Sequence, residues 1–499
     1  MWRTKGSQSH RAQVGATMKP NPLDVAAPTL CLFATWFSAI CLAAFLTVIS
    51  GSATADTQTN VGELNPAEQW VVTQLRAGEI ADLRKQFPEE GDRQLSADFL
   101  ETLLMGSRPD VKLHRHGVRI RGACIEEPID LTNAQIPYEV SLENCQFKSN
   151  VSFLRASFTG LVAFDNSTFK ADARFASMKV GDIAVFNEAV FEGPVYFVSA
   201  HIAGDFEADG SQFKNAKQVA GFNSIKVGHS ASFRNAVFEG PVDFVSAEIV
   251  SNFDASAAQF KNTEKNANFY GMKVGGAAVF TGARFEGPVN LSFSNFAELE
   301  LSYSAYHGAL YLQGMSYKEI SAAPEESKSL EALLKLANRS VYSADVYGNL
   351  EEFFLRHGHR GHADRTFIER KRRERKENLH DLPRFGSWLL DLLVGYGRHP
   401  WQAGWFCLAI IGIGCVLFPL EKMELQDPEN RTKPEKDRPR YNRFWYSLGL
   451  FLPVVDLKTS DVWGPKKQYR FLRNYLRVHI LLGWILFPIF LAAITGLIR

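Results

Sequence analysis

The sequence predicts a mainly β fold, a solenoid flanked by α-helical segments and followed by a transmembrane helical hairpin. This prediction rests on an apolar lattice, on a longer repeat that keeps phase with the lattice, and on two charge-free runs near the C-terminus. In the lattice, from Ile120 to Ile202, a large apolar residue returns at steps that alternate between five and six residues. Neither an α-helix nor a flat strand of period two gives this spacing.

A chain that turns a corner every five or six residues explains the lattice, because each turn points one side chain inward. Four sides close a coil of roughly 22 residues, and stacked coils form a solenoid, which we place at 114–320. The position two residues before each lattice residue is mostly small, as at Ala134, Ala189 and Ala236. Such side chains are expected at a second inward site, where a narrow coil leaves little room.

Two motifs recur every 47 residues, Met/Ile-Lys-Val-Gly from Met178 and Phe-Glu-Gly-Pro-Val from Phe191. This spacing is two coils plus three residues. The lattice steps 213–222 and 260–269 are nine residues long, so bulges are predicted at 215–221 and 262–268, on the same corner two coils apart. We predict that these bulges contact a partner through seven polar residues: Asn215, Lys217, Gln218, Asn262, Glu264, Lys265 and Asn266.

The pattern small-x-[Leu/Phe]-x-x, as in Ala189-Val190-Phe191-Glu192-Gly193, resembles the pentapeptide-repeat family over roughly residues 120–311. The resemblance implies a right-handed quadrilateral β-helix. The chain departs from the family pattern in its frequent six-residue steps and its phase breaks. Some soluble members of the family mimic DNA, but the predicted membrane spans and an only mildly acidic surface disfavour that function here.

The N-terminal region is predicted to contain an export signal and a cap. Residues 1–55 form a signal peptide or an uncleaved signal anchor, because an apolar run over 29–49 precedes Ala53-Thr54-Ala55, which has the form of a cleavage site. Residues 56–113 form a helical cap, in which Pro66 begins one helix and Ser96 is the N-cap of another. Solenoids need such caps because an open terminal coil is a sheet edge.

The C-terminal region is predicted to contain a helical basic neck at 321–400 and two membrane spans. The basic run 370–376 is expected to contact lipid headgroups or to be a solvated helix face, and 381–398 is expected to be an interfacial helix. The charge-free runs 401–420 and 478–498 each reach roughly 30 Å as helices, which is the thickness of a bilayer core, so the spans are placed at 401–420 and 478–499. Between them, 421–477 includes a possible re-entrant segment, a layout with a weak resemblance to two-helix ion-channel pore domains.

Topology follows from the export signal and the basic residues. An exported N-terminus places the solenoid on the periplasmic side of a multi-pass cell-membrane protein. The 13 Lys and Arg residues from Lys422 to Arg477 then lie in the cytoplasm, as the positive-inside rule expects.

Motifs for chemistry are sparse. The histidines at 357, 359 and 362 suggest either a metal cluster or solvated turn residues, and the glycines between them favour the second. Cys124 and Cys145 lie about one coil apart, where two buried thiols are favoured over a disulfide. The glutamates of Phe-Glu-Gly-Pro-Val suggest a cation- or partner-binding ladder, or simply a polar corner, which is favoured. Catalytic motifs are absent and the net charge is +1, so we expect no enzyme activity, no cofactor, no metal and no nucleic-acid partner.

The sequence therefore favours an integral membrane scaffold that is not catalytic. Its expected partners are the lipid bilayer, an unidentified protein and, for a homo-oligomer, a second copy of the chain. The alternative is a subunit of a non-selective ion channel, or a membrane sensor, that the solenoid gates.

Overall fold

The structure is a computed structural model that describes residues 64–108, 111–378, 380–452 and 459–497. These residues belong to one compact unit. The predicted signal at 1–55 lies outside them, as does the end of the re-entrant segment from 453 to 456.

A parallel β-solenoid of about nine turns occupies the middle of the chain. Each coil contributes one short strand to each of four faces. Faces 2 and 3 are separate nine-stranded sheets, whereas faces 1 and 4 join into one 17-stranded sheet that also includes a strand of the cap.

The strands of faces 1 and 2 are two to four residues long. Face 1 consists of Val118–Arg121, Val140–Glu143, Val162–Ala163, Ala184–Val185, Phe206–Glu207, Ala231–Ser232 and Phe253–Asp254. Face 2 consists of Cys124–Ile125, Gln146–Phe147, Thr168–Phe169, Val190–Phe191, Gln212–Phe213, Val237–Phe238, Gln259–Phe260, Arg284–Phe285 and Ala305–Tyr306.

Faces 3 and 4 complete the coils. Face 3 consists of Ile129–Asp130, Val151–Ser152, Ala173–Arg174, Val195–Tyr196, Ala220–Gly221, Val242–Asp243, Ala267–Asn268, Val289–Asn290 and Leu310–Tyr311. Face 4 consists of Gln135–Ile136, Ser157–Phe158, Lys179–Val180, His201–Ile202, Lys226–Val227, Glu248–Ile249, Lys273–Val279, Asn295–Glu300 and Ser316–Ser321. The last three strands continue around the corner toward face 1.

The lattice residues fill the interior of the solenoid. Along face 2, successive aromatic rings stack nearly parallel with centroids 4.5–5.2 Å apart, which matches the spacing of paired strands. The small residues predicted at the second inward site are also buried, for example Ala189 and Ala236. Ser167 occupies one such site and donates a 2.7 Å hydrogen bond to the carbonyl of Leu142.

The N-terminal cap covers the first coil. It contains α1 (Pro66–Ala77), α2 (Leu83–Gln86), a 3-10 turn and α3 (Ala97–Leu104). Strand Ala81–Asp82 pairs in parallel with the first strand of face 1, so the cap occupies this edge of the sheet. Ser96 is the N-cap of α3, as predicted, and its hydroxyl donates to Glu68 of α1 at 2.6 Å.

After the solenoid, the described residues form helices and a small β-hairpin. The neck contains α4 (Glu326–Arg339), α5 (Ala344–Arg356), α6 (Arg360–Asn378) and α7 (Asp381–Val394). The remaining helices are α8 (Trp401–Leu417), α9 (Pro428–Thr432), α10 (Arg443–Phe451), α11 (Thr459–Val462) and α12 (Arg470–Ile494), and strands Met423–Leu425 and Trp463–Pro465 pair antiparallel.

Only α12, among the described residues, is alone long and apolar enough to cross a bilayer. Helices α7 and α8 taken together are also long and apolar enough for a second span, but the chain bends by 114° between them. Both helices of the predicted hairpin have other bounds in the structure. Helix α8 ends at Leu417 and not at residue 420, and α12 begins at Arg470, eight residues before the predicted span. The first turn of α12 contains Arg470 and Arg473, so the helix begins before the apolar run.

Candidate functional site

The corner between faces 2 and 3 carries both insertions. Three residues connect the faces in a regular coil, as at 192–194. Six residues connect them at 214–219 and at 261–266. The bulges are therefore one residue shorter than predicted and begin one residue earlier. They end before Ala220 and Ala267, which already pair with the next coil of face 3.

The first bulge is held by a side-chain turn. The Asn215 side-chain oxygen accepts hydrogen bonds from the backbone amides of Lys217 at 3.1 Å and Gln218 at 2.9 Å. Asparagine favours this turn because its carbonyl mimics a backbone acceptor. The Tyr196 hydroxyl donates to the Gln218 side chain at 3.1 Å, which ties the exposed bulge to the coil below.

The second bulge repeats this geometry two coils further on. The Asn262 side-chain oxygen accepts from the amides of Glu264 at 3.1 Å and Lys265 at 2.7 Å. Glu264 and Lys265 are exposed and Asn266 is partly exposed. Adjacent strands of a sheet lie about 4.8 Å apart, so the bulges are separated by about 10 Å along the solenoid. The structure thus brings all seven predicted residues to one corner.

The Phe-Glu-Gly-Pro-Val motif supports these corners. A β-carbon on Gly240 would overlap the carbonyl oxygen of Asn215, and one on Gly287 would overlap that of Asn262. Gly193 approaches Ala171 in the same way, although that corner has no bulge. The glycine is therefore required by the close stacking of one corner on the previous one.

The glutamates of this motif do not form a continuous acidic ladder. Backbone hydrogen bonds set the order of the column, in which lysines separate the three glutamates. From one coil to the next the column contains Lys170, Glu192, Lys214, Glu239, Lys261, Glu286 and His307. Charges of opposite sign on neighbouring strands attract, so the polar-corner interpretation of these glutamates accounts for them. The 47-residue repeat does not reveal this alternation, because each intervening lysine lies on the coil between two copies of the motif.

Asp165 is a half-buried carboxyl on the solenoid surface. Burial raises its pKa to about 6, and the nearby carboxylates of Glu143 and Glu207 add to the rise. The folded solenoid therefore binds a proton here more tightly than the unfolded chain does.

The two solenoid cysteines are free and buried. The coil register places Gln146, rather than Cys145, beside Cys124. The favoured prediction of two buried thiols is confirmed, and burial raises the pKa of Cys145 to about 12.

The three histidines of the neck diverge. His357 lies 3.1 Å from Glu319, His359 lies 3.0 Å from Glu326, and the third, His362, lies 3.8 Å from Glu331. Glu319 lies in the last strand of face 4, whereas Glu326 and Glu331 lie in α4, so each imidazole faces a different carboxylate. Across the described part of the chain, no group of three or more His, Cys, Asp and Glu side chains is placed to hold a metal ion.

The basic run of α6 joins the parts of the neck. Arg373 donates to the carbonyls of Ala337, Asn338 and Ser340 at 3.0–3.1 Å, which satisfies the C-terminal end of α4. Arg372 and Arg375 both bind the Asp391 carboxylate of α7. Sequence reasoning expected lipid contact or a solvated face here, and had no signal for these long-range pairs.

The turn between α7 and α8 is fixed to the neck by an arginine. Arg398 donates to Asp364 at 2.8 Å and to Glu351 at 2.5 Å, and its guanidinium lies 4.4 Å from the ring centroid of Phe367. The orientation of the C-terminal helices is thereby coupled to α5 and α6.

Helix α10 packs between α8 and α12. The Ser447 hydroxyl donates to the carbonyl of Ile411 in α8 at 2.8 Å, and His479 of α12 donates to the carbonyl of Ser447 at 3.0 Å. A β-carbon on Gly483 would overlap the carbonyl oxygen of Phe451. The predicted apolar segment thus begins as a short helix that interacts with both long helices.

These features define the protein as a capped parallel β-solenoid with outward-facing polar corners and a helical C-terminal region. A family model of pentapeptide repeats, in nine copies, matches residues 131–179. The chain therefore contains pentapeptide repeats, as the resemblance implied, and its solenoid continues the same coil on both sides of the match. No curated protein and no solved structure matches the chain.

Proposed function

We propose that this chain is a non-catalytic, membrane-anchored scaffold whose solenoid binds a protein partner at the bulged corner. The single observation that carries the proposal is the repetition of one exposed turn, with the same asparagine geometry, at two positions of a rigid column. A partner that binds both bulges recognises a pattern about 10 Å long. Proteins commonly place binding residues on loops positioned by a rigid framework.

Site-specific photo-crosslinking in cells tests the partner. A photoreactive residue at Lys217 or Lys265 is expected to give the same crosslinked species, whereas one at exposed Asp182 is expected not to give it. Equal crosslinking at Asp182, or none at either bulge, would contradict the proposal.

Membrane anchoring is proposed from the C-terminal helices. Helix α12 is long and apolar enough to span, and apolar side chains of α8 such as Trp405, Leu408 and Val416 are exposed. An exposed apolar surface of this kind is typical of contact with lipid or with another protein. We expect the full chain to remain in the membrane pellet after alkaline carbonate washing, and its release would contradict the proposal.

The periplasmic placement of the solenoid is part of the proposal and has its own test. A single cysteine at Lys265 should react with a membrane-impermeant maleimide in intact spheroplasts. Reaction only after lysis would reverse the topology and place the partner in the cytoplasm.

The ion-channel alternative is favoured by one observation, the position of α10 between two apolar helices. It requires several copies of the chain to enclose a pore. Ion flux from liposomes that contain the purified chain tests it, and the scaffold proposal predicts no flux above that of empty liposomes.

A further inference from the structure

A basic cleft lies where α6, α7 and the end of α4 meet. Its volume is about 580 Å³. It is lined by five cationic side chains and two glutamates, so its charge is positive. The cations are Arg372, Arg373, Arg375, Lys376 and Arg384.

The cations of this basic cleft fall into two groups. Arg372 and Arg375 bind Asp391, and Arg373 binds carbonyls of α4 and the Glu377 carboxylate. By contrast, among the residues that the structure describes, Lys376 and Arg384 have no hydrogen-bonding or ion-pair partner. Both are exposed, so the fixed arginines form a wall and the two free cations remain to bind an anion.

An exposed apolar stripe runs along α7 beside the basic cleft. It consists of Leu382, Phe385, Trp388 and Leu392, which share one helical face at steps of three and four residues. The opposite edge of the same helix faces α6. There Arg384 lines the basic cleft, and Arg375 of α6 donates to the Ser387 carbonyl and to the Asp391 carboxylate. One helix thus places apolar side chains and an unpaired arginine side by side.

We propose that the basic cleft binds the phosphate of an anionic phospholipid whose acyl chains lie along the α7 stripe. Amphipathic helices lie in the membrane interface with their apolar face among the acyl chains, which brings adjacent cations to headgroup level. The 114° turn from α7 into α8 fits a helix that lies on the bilayer before the next one enters it. This inference rests on the proposed membrane location of the chain.

Native mass spectrometry of the full chain in detergent tests the proposal. We expect adducts of phosphatidylglycerol to exceed those of phosphatidylcholine, and the double variant K376A/R384A to lower phosphatidylglycerol affinity roughly 10- to 30-fold. The matched control K217A/K265A removes the same charge from the bulges and should bind like the unaltered chain. Equal binding of the two lipids, or full binding by K376A/R384A, would overturn the proposal.

Two further experiments distinguish a lipid phosphate from a free phosphate, and a failure of the membrane proposal from a failure of the cleft proposal. Inorganic phosphate should not displace phosphatidylglycerol, and L382S/F385S should weaken lipid binding, whereas displacement by phosphate would assign the cleft to a free anion. Release by carbonate washing together with retained phosphatidylglycerol adducts would contradict membrane anchoring alone. Retention in the membrane without lipid selectivity would contradict the cleft alone.

Discussion

Replacement of Phe191 by alanine should strongly destabilise the solenoid. The side chain is 1% exposed, and its ring stacks between Phe169 at 4.9 Å and Phe213 at 5.2 Å. Removing a buried phenylalanine costs about 3–5 kcal/mol, which includes the cavity that is left. Each aromatic pair contributes about 0.5–1.5 kcal/mol beyond area burial, so a residue with two stacked neighbours belongs at the upper end of that range.

The assay is urea unfolding of the purified full chain followed by far-ultraviolet circular dichroism. Phe147 is the internal comparison, because it stacks on Phe169 but pairs with Ile125 on its other side. Phe191 also contacts Phe186 and Phe197, whereas the further aromatic contact of Phe147 is Phe164. Replacing Phe147 by alanine should therefore cost less by about two aromatic pairs, or about 1–3 kcal/mol. Phe191→Asp should unfold the solenoid, since it also buries a carboxylate.

The control for this series is Lys217→Ala on the first bulge. Lys217 is exposed, and we expect its replacement to change the free energy of unfolding by less than about 0.5 kcal/mol. If Lys217→Ala destabilised the chain as much as Phe191→Ala, the assignment of inward and outward positions would be wrong.

Three other substitutions test separate parts of the structure. Asp165→Asn should raise the melting temperature at pH 7.5 but not near pH 4. Because the pKa of this carboxyl is raised in the folded state, the stability of the fold falls as pH rises from about 4 to about 6. The asparagine variant avoids this loss of about 1–3 kcal/mol. An equal gain in melting temperature at both pH values would contradict this cause. Gly240→Ala should destabilise the bulged corner by about 2 kcal/mol or more through overlap with a backbone carbonyl, whereas Gly361→Ala in α6, which has open space, should be neutral or stabilising in the same melt. Gly483→Ala should expose α10 to limited proteolysis in detergent, and Gly412→Ala, which also faces open space, should leave the cleavage pattern unchanged.

The solenoid was predictable because its period is a geometric property of the sequence. A coil with four corners leaves a lattice that no other regular structure produces, and exceptions to the lattice locate the insertions. The nine-residue step from Phe213 to Phe222 placed the first bulge at the correct corner. Its ends were less predictable, because Ala220 resumes strand pairing through backbone hydrogen bonds that have no sequence signature.

The neck and the C-terminal helices were less predictable because their contacts are distant in sequence. Arg398 pairs with Glu351 across 47 residues, and no local pattern connects them. The basic run of α6 suggested a solvated or lipid-facing helix. Instead most of its arginines hold α4 and α7. Within the described ranges, Lys376 at its end and Arg384 on the next helix are left unpaired.

Spin labels in the column of alternating lysines and glutamates, from Lys170 to Glu286, test the coil register most directly. The position of the bulged corner and its proposed contact with a partner both depend on that register. Label pairs at 192/214 and at 214/239 are 22 and 25 residues apart, and both lie on directly adjacent coils. We predict comparable strong dipolar broadening for both pairs, because adjacent strands lie about 4.8 Å apart. A 214/239 pair that is clearly more distant than the 192/214 pair would show that the extra residues are not confined to the corner, and would contradict the account.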